Sequence, residues 1–468
     1  MALKFYNTLT RRKDSFKPLK KNQVSLYSCG PTVYDYAHIG NFRSYIFVDI
    51  LKKYLEFKGF KVKHIMNITD IDDKTIRDSK EANLSLKEFT EKFTDAFFKD
   101  LTTLNIKEAT KFPKATDHVD GMIKVTKALV DKGYAYEKNG SVYFAINKFK
   151  DYGKLSKVDL SQQKAGARVD SDEYEKDHPG DFALLKKSTE DEINRNISYD
   201  SDWGKVRPGW HIECTIMSMN SLGPTFDIHT GGVDLIFPHH ENEITQSEAY
   251  TEKKFVNYWL HCEHLIVDGK KMSKSLGNFY TLRDVIKKDF DPLSVRYLLL
   301  ATNYRQQLNF TFEGLKSAHN SIERLNNFIF SLKNVKGTID NPAVTRLIDQ
   351  TKTKFERKMD DDLSISEALA VIFNFTKDIN KLIDTRKISK KNADSIIKLL
   401  KELDSVLGVM NFKKEEKTSS SIQDLLDKRE SARKNKDFKT ADELRDKIKE
   451  KGYIIEDSDD GPRVKKID

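Results

Sequence analysis

The chain has 468 residues, a length that exceeds one hydrophobic core and predicts about three domains. Its 38% hydrophobic and 33% charged residues predict a soluble globular protein, and no apolar run approaches the ~20 residues of a bilayer span. The net charge of +9 favours a polyanionic partner such as nucleic acid, although a lysine-rich surface without that role would carry the same charge.

The sequence holds three cysteines, Cys29, Cys214 and Cys262, which are too few for a disulfide framework in a chain of this size. The first residues lack the apolar core of a signal peptide. We therefore expect a reducing cytoplasm, in which such cysteines bind metals or lie buried.

The first predicted elements are a strand at residues 24–29, a helix at 40–58 and a second strand at 62–68. This order is a βαβ unit, which predicts a parallel sheet that binds its ligands at the carboxyl ends of the strands. Cys29 and His38 both fall at that end.

Residues 120–205 are polar and punctuated by glycines, and we predict a loop-rich insertion between two halves of the α/β fold. Sheet-forming segments return at 226–229 and 264–267. The insertion and the later strands together predict one interrupted sheet domain.

From Leu315 onward, three apolar stripes with helical spacing predict a small helical bundle. Residues 413–421 contain no apolar side chain and predict a linker. Beyond the linker we expect a compact unit of two charged helices and a short strand at 453–455.

A loop between Gly269 and Gly277 carries two lysines and two serines in the run Lys271-Met272-Ser273-Lys274-Ser275. The predicted helix after the first strand begins with His38-Ile39-Gly40-Asn41. A lysine loop and a helix start with hydrogen-bonding side chains suit a site that holds a triphosphate from two sides. The pair predicts nucleotide chemistry.

Potential metal ligands are Cys29, Cys214 and a run that contains His239, His240 and Glu243. A proline before the run fits the beginning of a helix, so either histidine could share a face with the glutamate, at i, i+4 or i, i+3. Two thiolates, an imidazole and a carboxylate favour zinc. The alternative is that the cysteines are buried apolar residues and the run is a solvated helix start.

Two other patterns each allow a functional and a structural interpretation. In a strand, the cluster His261-Cys262-Glu263-His264 alternates between two faces, so at most two members could share an ion, and we expect a structural role. The run Gly231-Gly232-Val233-Asp234 follows a strand and suits backbone approach to a nucleotide, with the carboxylate accepting from ribose hydroxyls; a bare Gly-Gly turn is the alternative.

Trp210 either walls a small pocket or packs in the core. The polar segment Asn67-Ile68-Thr69-Asp70-Ile71-Asp72-Asp73 has carboxylates that suit magnesium, but a capped helix start is the preferred interpretation.

Taken together, these residues resemble the cysteinyl-tRNA synthetase family of class I aminoacyl-tRNA synthetases over essentially the whole chain. At the N-terminus the resemblance begins with the segment from Tyr27 to Asp35. The run from His38 to Asn41 matches the family's HIGH motif with asparagine in the last place, and the run from Lys271 to Ser275 matches KMSKS without departure. The segments from Asn67 to Asp73 and from Gly231 to Glu243 also resemble family segments.

The resemblance implies an α/β fold with a Rossmann-like parallel-sheet catalytic domain that contains an insertion, followed by a helical bundle and a small C-terminal anticodon-binding domain. The implied boundaries are 1–120 for the first half of the catalytic domain, 121–205 for a connective-peptide insertion, 206–262 for the second half, 263–312 for the KMSKS loop and stem-contact region, 313–412 for the bundle and 413–468 for the anticodon-binding domain.

The zinc ligands that the resemblance implies are Cys29, Cys214, His239 and Glu243, which makes His240 a neighbour. A thiol loses its proton on zinc, whereas a serine hydroxyl does so far less readily, and shape alone separates the two amino acids poorly. Because four protein ligands usually mark a closed structural zinc, we hypothesise that the glutamate is a weak ligand that lets the substrate sulfur bind as a fifth.

The implied reaction joins L-cysteine to ATP as cysteinyl-adenylate and then transfers cysteine to the terminal adenosine of tRNA(Cys). In this scheme His38 and Asn41 hold phosphate oxygens, while Lys271 and Lys274 close over the β- and γ-phosphates together with Mg²⁺. We expect replacement of Lys274 to slow the reaction most.

The resemblance adds Gly40, Gly232 and Asp234 to the ATP site, beside Lys274, and suggests that Thr69 and Trp210 contact the amino acid. It also implies one zinc ion per chain and a monomer.

Two rival hypotheses remain. A synthetase-like ligase could transfer cysteine to a small amine, but the C-terminal helices, with the run from Asp437 to Arg445, resemble a tRNA-binding module. A non-catalytic zinc protein that binds RNA would not need the intact lysine loop and histidine motif.

Overall fold

The computed structural model describes residues 2–158, 176, 178, 180–413, 420–458 and 461–466. Within these segments the strands are β1 Lys4–Asn7, β2 Arg12–Ser15, β3 Gln23–Ser28, β4 Lys61–Met66, β5 Ala135–Lys138, β6 Ser141–Phe144, β7 Phe182–Lys187, β8 Tyr199–Ser201, β9 Gly204–Pro208, β10 Phe226–Gly232, β11 Val256–Cys262, β12 Leu265–Val267, β13 Lys270–Lys271, β14 Leu308–Phe310, β15 Tyr453–Ser458 and β16 Gly461–Lys466. The α-helices are α1 Ile39–Phe57, α2 Asp73–Glu81, α3 Leu86–Thr103, α4 Val119–Asp131, α5 Glu190–Asn194, α6 Trp210–Leu222, α7 Glu241–Thr251, α8 Leu282–Ile286, α9 Pro292–Ala301, α10 Phe312–Lys333, α11 Pro342–Met359, α12 Ile365–Asp384, α13 Lys390–Leu407, α14 Ser420–Lys434 and α15 Phe438–Glu450.

The chain divides into two compact units, Met1–Met410 and Asn411–Asp468. The larger unit contains a four-stranded parallel sheet in the order β11-β10-β3-β4. Helix α1 lies between β3 and β4 in the chain, so the predicted βαβ unit is confirmed. Because the strands are parallel, their carboxyl ends meet at one edge, and Cys29 follows β3 at that edge.

The histidine motif, His38 to Asn41, forms the N-cap and the first turn of helix α1. The Nδ1 atom of His38, the N-cap residue, accepts the backbone N–H of Asn41 at 3.2 Å, and Oδ1 of Asn41 accepts the backbone N–H of His38 at 3.0 Å. This is a capping box in which asparagine replaces the usual glutamate or glutamine. The apolar side of the helix packs against β4, α9 and α13.

The loop-rich prediction for residues 120–205 is wrong about their secondary structure. The segment forms most of a five-stranded antiparallel sheet in the order β5-β6-β7-β9-β8. Its strands are three to six residues long, too short for a clear alternation, yet they bury apolar side chains such as Phe144 and Leu184. Residues 159–175 of the insertion lie outside the described residues.

A small sheet in the order β13-β12-β14 carries the lysine loop, and the predicted strand at 264–267 corresponds to β12. After it, helices α10 to α13 form the predicted bundle. The first predicted stripe is confirmed because Leu315, Ile322 and Leu325 are buried.

A buried arginine connects the bundle to helix α1. The guanidinium of Arg296, on α9, pairs with Asp49 of α1 at 2.6 Å and donates to the backbone oxygens of Leu407, Leu104 and Asn105. Both charged side chains are fully buried, so the pair and its carbonyl partners must form together. The contact fixes the position of the helix that begins with the histidine motif.

In the smaller unit, α14 and α15 pack with an antiparallel hairpin of β15 and β16 around an apolar core formed by Ile422, Leu426, Ile448 and Ile455. The sequence predicts only the first of these strands. Of the predicted linker 413–421, residues 414–419 lie outside the described part, and α14 already begins at its end. Among the helices in the described segments, none has the length and apolarity needed to cross a membrane.

Candidate active site

The four implied zinc ligands lie together at the carboxyl edge of the parallel sheet. Cys29 follows β3, Cys214 lies on α6, and His239 and Glu243 lie in the turn before α7 and in its first turn. One donor atom from each residue lies within 4.8 Å of the others, and all but the half-buried Cys29 are buried. His239 Nε2 is 3.0 Å from Glu243 Oε1, so the i, i+4 pairing brings these two side chains together.

Burial and mutual contacts determine the charges in this cluster. A hydrogen bond from Cys29 lowers the pKa of Cys214 to about 6, whereas burial raises the pKa of Cys29 well above its usual range. Burial opposes ionisation of His239, but Glu243 and Cys214 raise its pKa to about 10. Burial likewise opposes ionisation of Glu243, but His229 and His239 lower its pKa to about 2. The buried cluster therefore favours the charged forms of Cys214, His239 and Glu243 and the neutral thiol of Cys29.

Two further histidines support the ligands from outside. His211 Nδ1 lies 3.0 Å from His239 Nδ1, which leaves His239 Nε2 on the side of the cluster. His229 Nε2 lies 2.9 Å from the second carboxylate oxygen of Glu243. Such outer contacts orient metal ligands. Two sulfur donors, one imidazole and one carboxylate, all close together and supported in this way, fit zinc.

A second arrangement of four groups shares two members with the first. Cys29, His229, His240 and Glu243 also have donor atoms within 4.8 Å of one another. His240 Nε2 lies 3.3 Å from the Cys29 sulfur but 3.9 Å from Glu243 Oε1. This arrangement contains one thiol instead of two, so it suits a borderline-soft ion less well than the first.

In the cluster His261-Cys262-Glu263-His264, which begins at the end of β11, His261 and Cys262 have different contacts. His261 lies between two polar partners: its Nδ1 is 2.7 Å from the Thr8 hydroxyl, and its Nε2 is 2.8 Å from Nδ1 of His240. It therefore supports His240, the residue next to the implied ligand His239. Cys262 is buried, and burial raises its pKa to about 11. Neither belongs to the two potential metal-binding groups found among the described residues.

Trp210 is half-buried, and its ring stacks on His239 with the ring centres 4.2 Å apart and the planes 20° apart. The tryptophan therefore forms a wall of the candidate metal centre. Thr69 is buried, and its hydroxyl donates to Glu213 at 3.2 Å and accepts from Asn67 at 3.0 Å. Burial, followed by the charge of Cys214, raises the pKa of Glu213 well above its usual range.

The polar segment after β4 forms a capped helix start, as preferred from the sequence. Asp72 is the N-cap of α2 and accepts the backbone N–H of Lys74. Asp70 accepts hydrogen bonds from Thr116. Asp73 pairs with two basic residues of the antiparallel sheet, Lys186 and Arg207. Each of the three carboxylates has partners within the protein.

Several residues that the sequence predicts to bind ATP lie around the start of α1. Burial lowers the pKa of His38 to about 4, so its ring is neutral at physiological pH. A Cβ atom on Gly40 would lie 2.9 Å from the His38 ring and 3.1 Å from the methyl carbon of Met272 in the lysine loop. A Cβ on Gly232 would lie 2.3 Å from the exposed Asp234 carboxylate. These glycines allow close approach of both motifs.

The lysine loop turns at Gly269 and Gly277, whose φ angles are +74° and +65°. Asn278 joins its two sides: its Oδ1 accepts the backbone N–H of Ser273 at 2.9 Å, and its Nδ2 donates to the backbone oxygen of Lys271 at 3.2 Å. The side chains of Lys271 and Lys274 are exposed.

The end of this loop is attached to the start of α1. The backbone N–H of Ile39 donates to the oxygen of Tyr280 at 3.0 Å, and His38 forms a bridge with Thr281. The lysine loop and the run from His38 to Asn41 therefore lie side by side, although they are far apart in the sequence.

The chain is similar to known families and solved structures. Three family models match: the catalytic domain of class I (C) tRNA synthetases at residues 15–320, a DALR domain at 354–411 and a cysteinyl-tRNA ligase anticodon binding domain at 416–464. The fold is similar to that of Mycobacterium tuberculosis methionyl-tRNA synthetase in complex with methionyl-adenylate, with a TM-score of 0.57 and 16% identity over 82% of this chain and 89% of that one. Fold and family models define a class I aminoacyl-tRNA synthetase, as the sequence predicts.

Relatives that match over the full length of the chain show which family of class I synthetases it belongs to. The chain is 51% identical to the cysteine–tRNA ligase of Protochlamydia amoebophila, over 100% of this chain and 98% of that protein. It is 48% identical to the cysteine–tRNA ligase of Methanosarcina mazei, over 99% of both chains. The chain belongs to the cysteine–tRNA ligase family, and it is an ATP-dependent aminoacyl-tRNA ligase.

Proposed function

We propose that this ligase activates L-cysteine with ATP, transfers it to tRNA(Cys), and uses one zinc ion to select the substrate thiol. The observation that carries the proposal is the convergence of Cys29, Cys214, His239 and Glu243 beneath the ring of Trp210. When bound, zinc supplies a Lewis acid that favours a thiolate over a hydroxyl.

In the first step the carboxylate of cysteine attacks the α-phosphorus of ATP, the bond to the bridging oxygen breaks, and pyrophosphate leaves. Because Nδ1 of His38 accepts the N–H of Asn41, the neutral ring carries its proton on Nε2, and this N–H can donate to a phosphate oxygen. Asn41 uses its side-chain oxygen in the capping box, so its amide NH₂ is the group available to phosphate.

The lysine loop supplies charge from the other side. Lys271 and Lys274 bind the β- and γ-phosphates and, with Mg²⁺ bound to ATP, stabilise the negative charge that develops on pyrophosphate. Gly40 and Gly232 let the backbone approach the nucleotide, and Asp234 accepts hydrogen bonds from the ribose hydroxyls.

The side chains proposed to surround the amino acid support one another. Trp210 stacks on His239, and His211 fixes the ring of that histidine. Thr69, whose hydroxyl donates to Glu213, contributes a polar contact to the amino acid.

In the second step a ribose hydroxyl of the terminal adenosine attacks the adenylate carbonyl, and AMP leaves. The substrates thus supply the nucleophiles, and the protein positions them.

The other segments have supporting roles in this proposal. Residues 121–205 form the connective-peptide insertion, 263–312 contact the acceptor stem, 313–412 form the bundle, and 413–468 read the anticodon. The divided catalytic domain consists of residues 1–120 and 206–262. We expect the enzyme to act as a monomer in the cytoplasm.

Aminoacylation of a tRNA pool with labelled cysteine and labelled serine tests the proposal, before and after chelation. We expect charging with cysteine only, loss with the chelator, and recovery on addition of zinc. Cysteine-dependent ATP–pyrophosphate exchange without charged tRNA would instead favour a small-amine acceptor. Zinc-loaded protein without such exchange would contradict the assigned substrate.

Glu243→Gln should weaken discrimination against serine more than it weakens zinc retention. Glutamine keeps the size of the side chain but removes the buried negative charge, while both thiolates and His239 remain. We expect the cysteine-to-serine ratio of kcat/KM to fall by about 10-fold, the scale of perturbations around a metal ion, with zinc content near that of the unmodified enzyme.

The matched control is Glu248→Gln on the same helix, because Glu248 pairs with Lys154 outside the ligand set. Serine discrimination equal to that of the unmodified enzyme, in a Glu243→Gln variant that retains zinc, would contradict the role of the glutamate as a weak ligand.

A further inference from the structure

Lys274, the lysine proposed to bind phosphate, already has an anionic partner within the protein. Its ammonium nitrogen lies 2.5 Å from Oδ2 of Asp35, three residues before His38. The same nitrogen lies 5.2 Å from the centre of the Phe279 ring. The ring of Phe279 in turn packs edge to face on His38, with the centres 5.1 Å apart and the planes 73° apart. A carboxylate and an aromatic face thus hold one ammonium next to the histidine motif.

We propose that Asp35 and Phe279 form a holding site for Lys274, and that the triphosphate of ATP must displace Asp35 from the ammonium before the lysine can bind phosphate. Asp35 is then a positioning residue that competes with the substrate. This inference rests on the proposed role of Lys274 in the ATP site.

The competition is chemically direct because both partners offer anionic oxygens to the same cation. The hydrogen bond to Asp35 raises the pKa of Lys274, which is consistent with a favourable contact between the carboxylate and the charged ammonium. The side chains are 68% and 32% exposed, and ion pairs with such exposure are weak. A triphosphate, with several charges and the N-terminus of α1 beside it, can therefore replace a single carboxylate.

The two parts of the holding site differ in how firmly they are attached. Phe279 directly precedes Tyr280, whose backbone oxygen accepts the N–H of Ile39, so the ring stays beside His38 when the lysine changes its partner. Asp35 contacts the loop through the Lys274 ammonium. The cation–π contact can persist through the exchange, while the ion pair breaks.

Equilibrium binding of ATP to the zinc-loaded, full-length enzyme tests the inference. Asp35→Asn should tighten ATP binding about twofold to fivefold, which corresponds to loss of an exposed ion pair. Asp35→Glu, which keeps the charge, should bind ATP like the unmodified enzyme. The kcat of cysteine-dependent pyrophosphate exchange at saturating ATP should change less than the ATP dissociation constant.

Removal of any nearby negative charge could also strengthen the binding of ATP. Two controls separate this general effect from the specific competition for the Lys274 ammonium. Asp78 also raises the pKa of Lys274 but pairs with Arg77 at 2.7 Å, so Asp78→Asn should leave ATP binding unchanged. In a Lys274→Met background, Asp35→Asn should have no effect, because the ammonium for which the carboxylate competes is missing.

An Asp35→Asn effect that persists at full size in the Lys274→Met background would overturn the holding site. Weaker or unchanged ATP binding by Asp35→Asn with Lys274 intact would overturn it as well. Neither outcome bears on the choice of amino acid, which is tested independently by cysteine-dependent exchange and tRNA charging in the unmodified enzyme.

Discussion

Cys214→Ser is expected to release the zinc ion and to lower cysteine-dependent ATP–pyrophosphate exchange by more than ~100-fold, since even outer contacts of a metal ligand contribute 10- to 100-fold. The hydrogen bond from Cys29 lowers the pKa of Cys214 to about 6, so this sulfur is a thiolate at neutral pH. A serine hydroxyl in the same place stays protonated and is a poor zinc ligand. Zinc content by atomic absorption and the exchange rate measure the two effects.

Cys262→Ala provides the matched control, because Cys262 is also buried but does not belong to the ligand set. This variant should retain zinc and exchange, and its thermal unfolding reports any cost of the lost core contact. If Cys214→Ser retains both zinc and exchange, the assignment of this cysteine as a ligand is wrong. If the control loses zinc to the same extent, the loss has a structural origin and the ligand assignment is contradicted.

The sequence predicts which part of the chain holds the candidate metal centre more clearly than which histidine belongs to it. Spacing alone leaves His239 and His240 as alternatives, and the structure explains why. Both histidines precede α7 in one turn and both are buried, with Nε2 atoms 3.0 Å and 3.9 Å from the same oxygen of Glu243. Only the family resemblance favours the first of them before the three-dimensional positions are known.

The supporting residues around the centre were not predicted. His211 and His229 contact the proposed ligands His239 and Glu243, and Glu213 accepts a hydrogen bond from Thr69. These residues lie on α6 and β10, and no fixed spacing connects them with the ligands they support. The sequence signal that could have found them is a polar residue within an otherwise apolar element, such as His229 in β10. The residue that His229 contacts is known only once the three-dimensional structure shows which elements pack together.

The helical parts and the parallel sheet follow from local patterns, whereas the antiparallel sheet of the insertion does not. Helix α1 has nineteen residues with a repeated apolar face, which is long enough for the period to be recognised. Strand β8 has three residues and β5 has four, so their identity depends on pairing with strands elsewhere in the chain. The joining of the lysine loop to α1 through Ile39 and Tyr280 depends on tertiary structure in the same way.

Lys274→Met should lower kcat for cysteine-dependent ATP–pyrophosphate exchange by about 100- to 1000-fold, the usual cost of removing one preorganised group that stabilises transition-state charge. Methionine keeps the unbranched apolar chain and removes the ammonium. Because charge develops on pyrophosphate as the bond to the α-phosphorus breaks, the loss should appear in kcat. The KM for cysteine should stay nearly unchanged, since we propose that cysteine binds at the candidate metal centre and not at the lysine loop.

Lys270→Met is the matched control, since Lys270 lies one residue before the motif and is also exposed. It should retain nearly full activity if the effect depends on position, and a similar loss in both variants would indicate a general effect of loop charge. The side chain of Lys274 is 68% exposed, so its replacement removes no core packing and thermal unfolding should not change. A large loss of kcat in a fully folded, zinc-loaded protein would therefore assign the ammonium to the reaction itself, separately from the selection of the amino acid that we propose for Cys29, Cys214, His239 and Glu243.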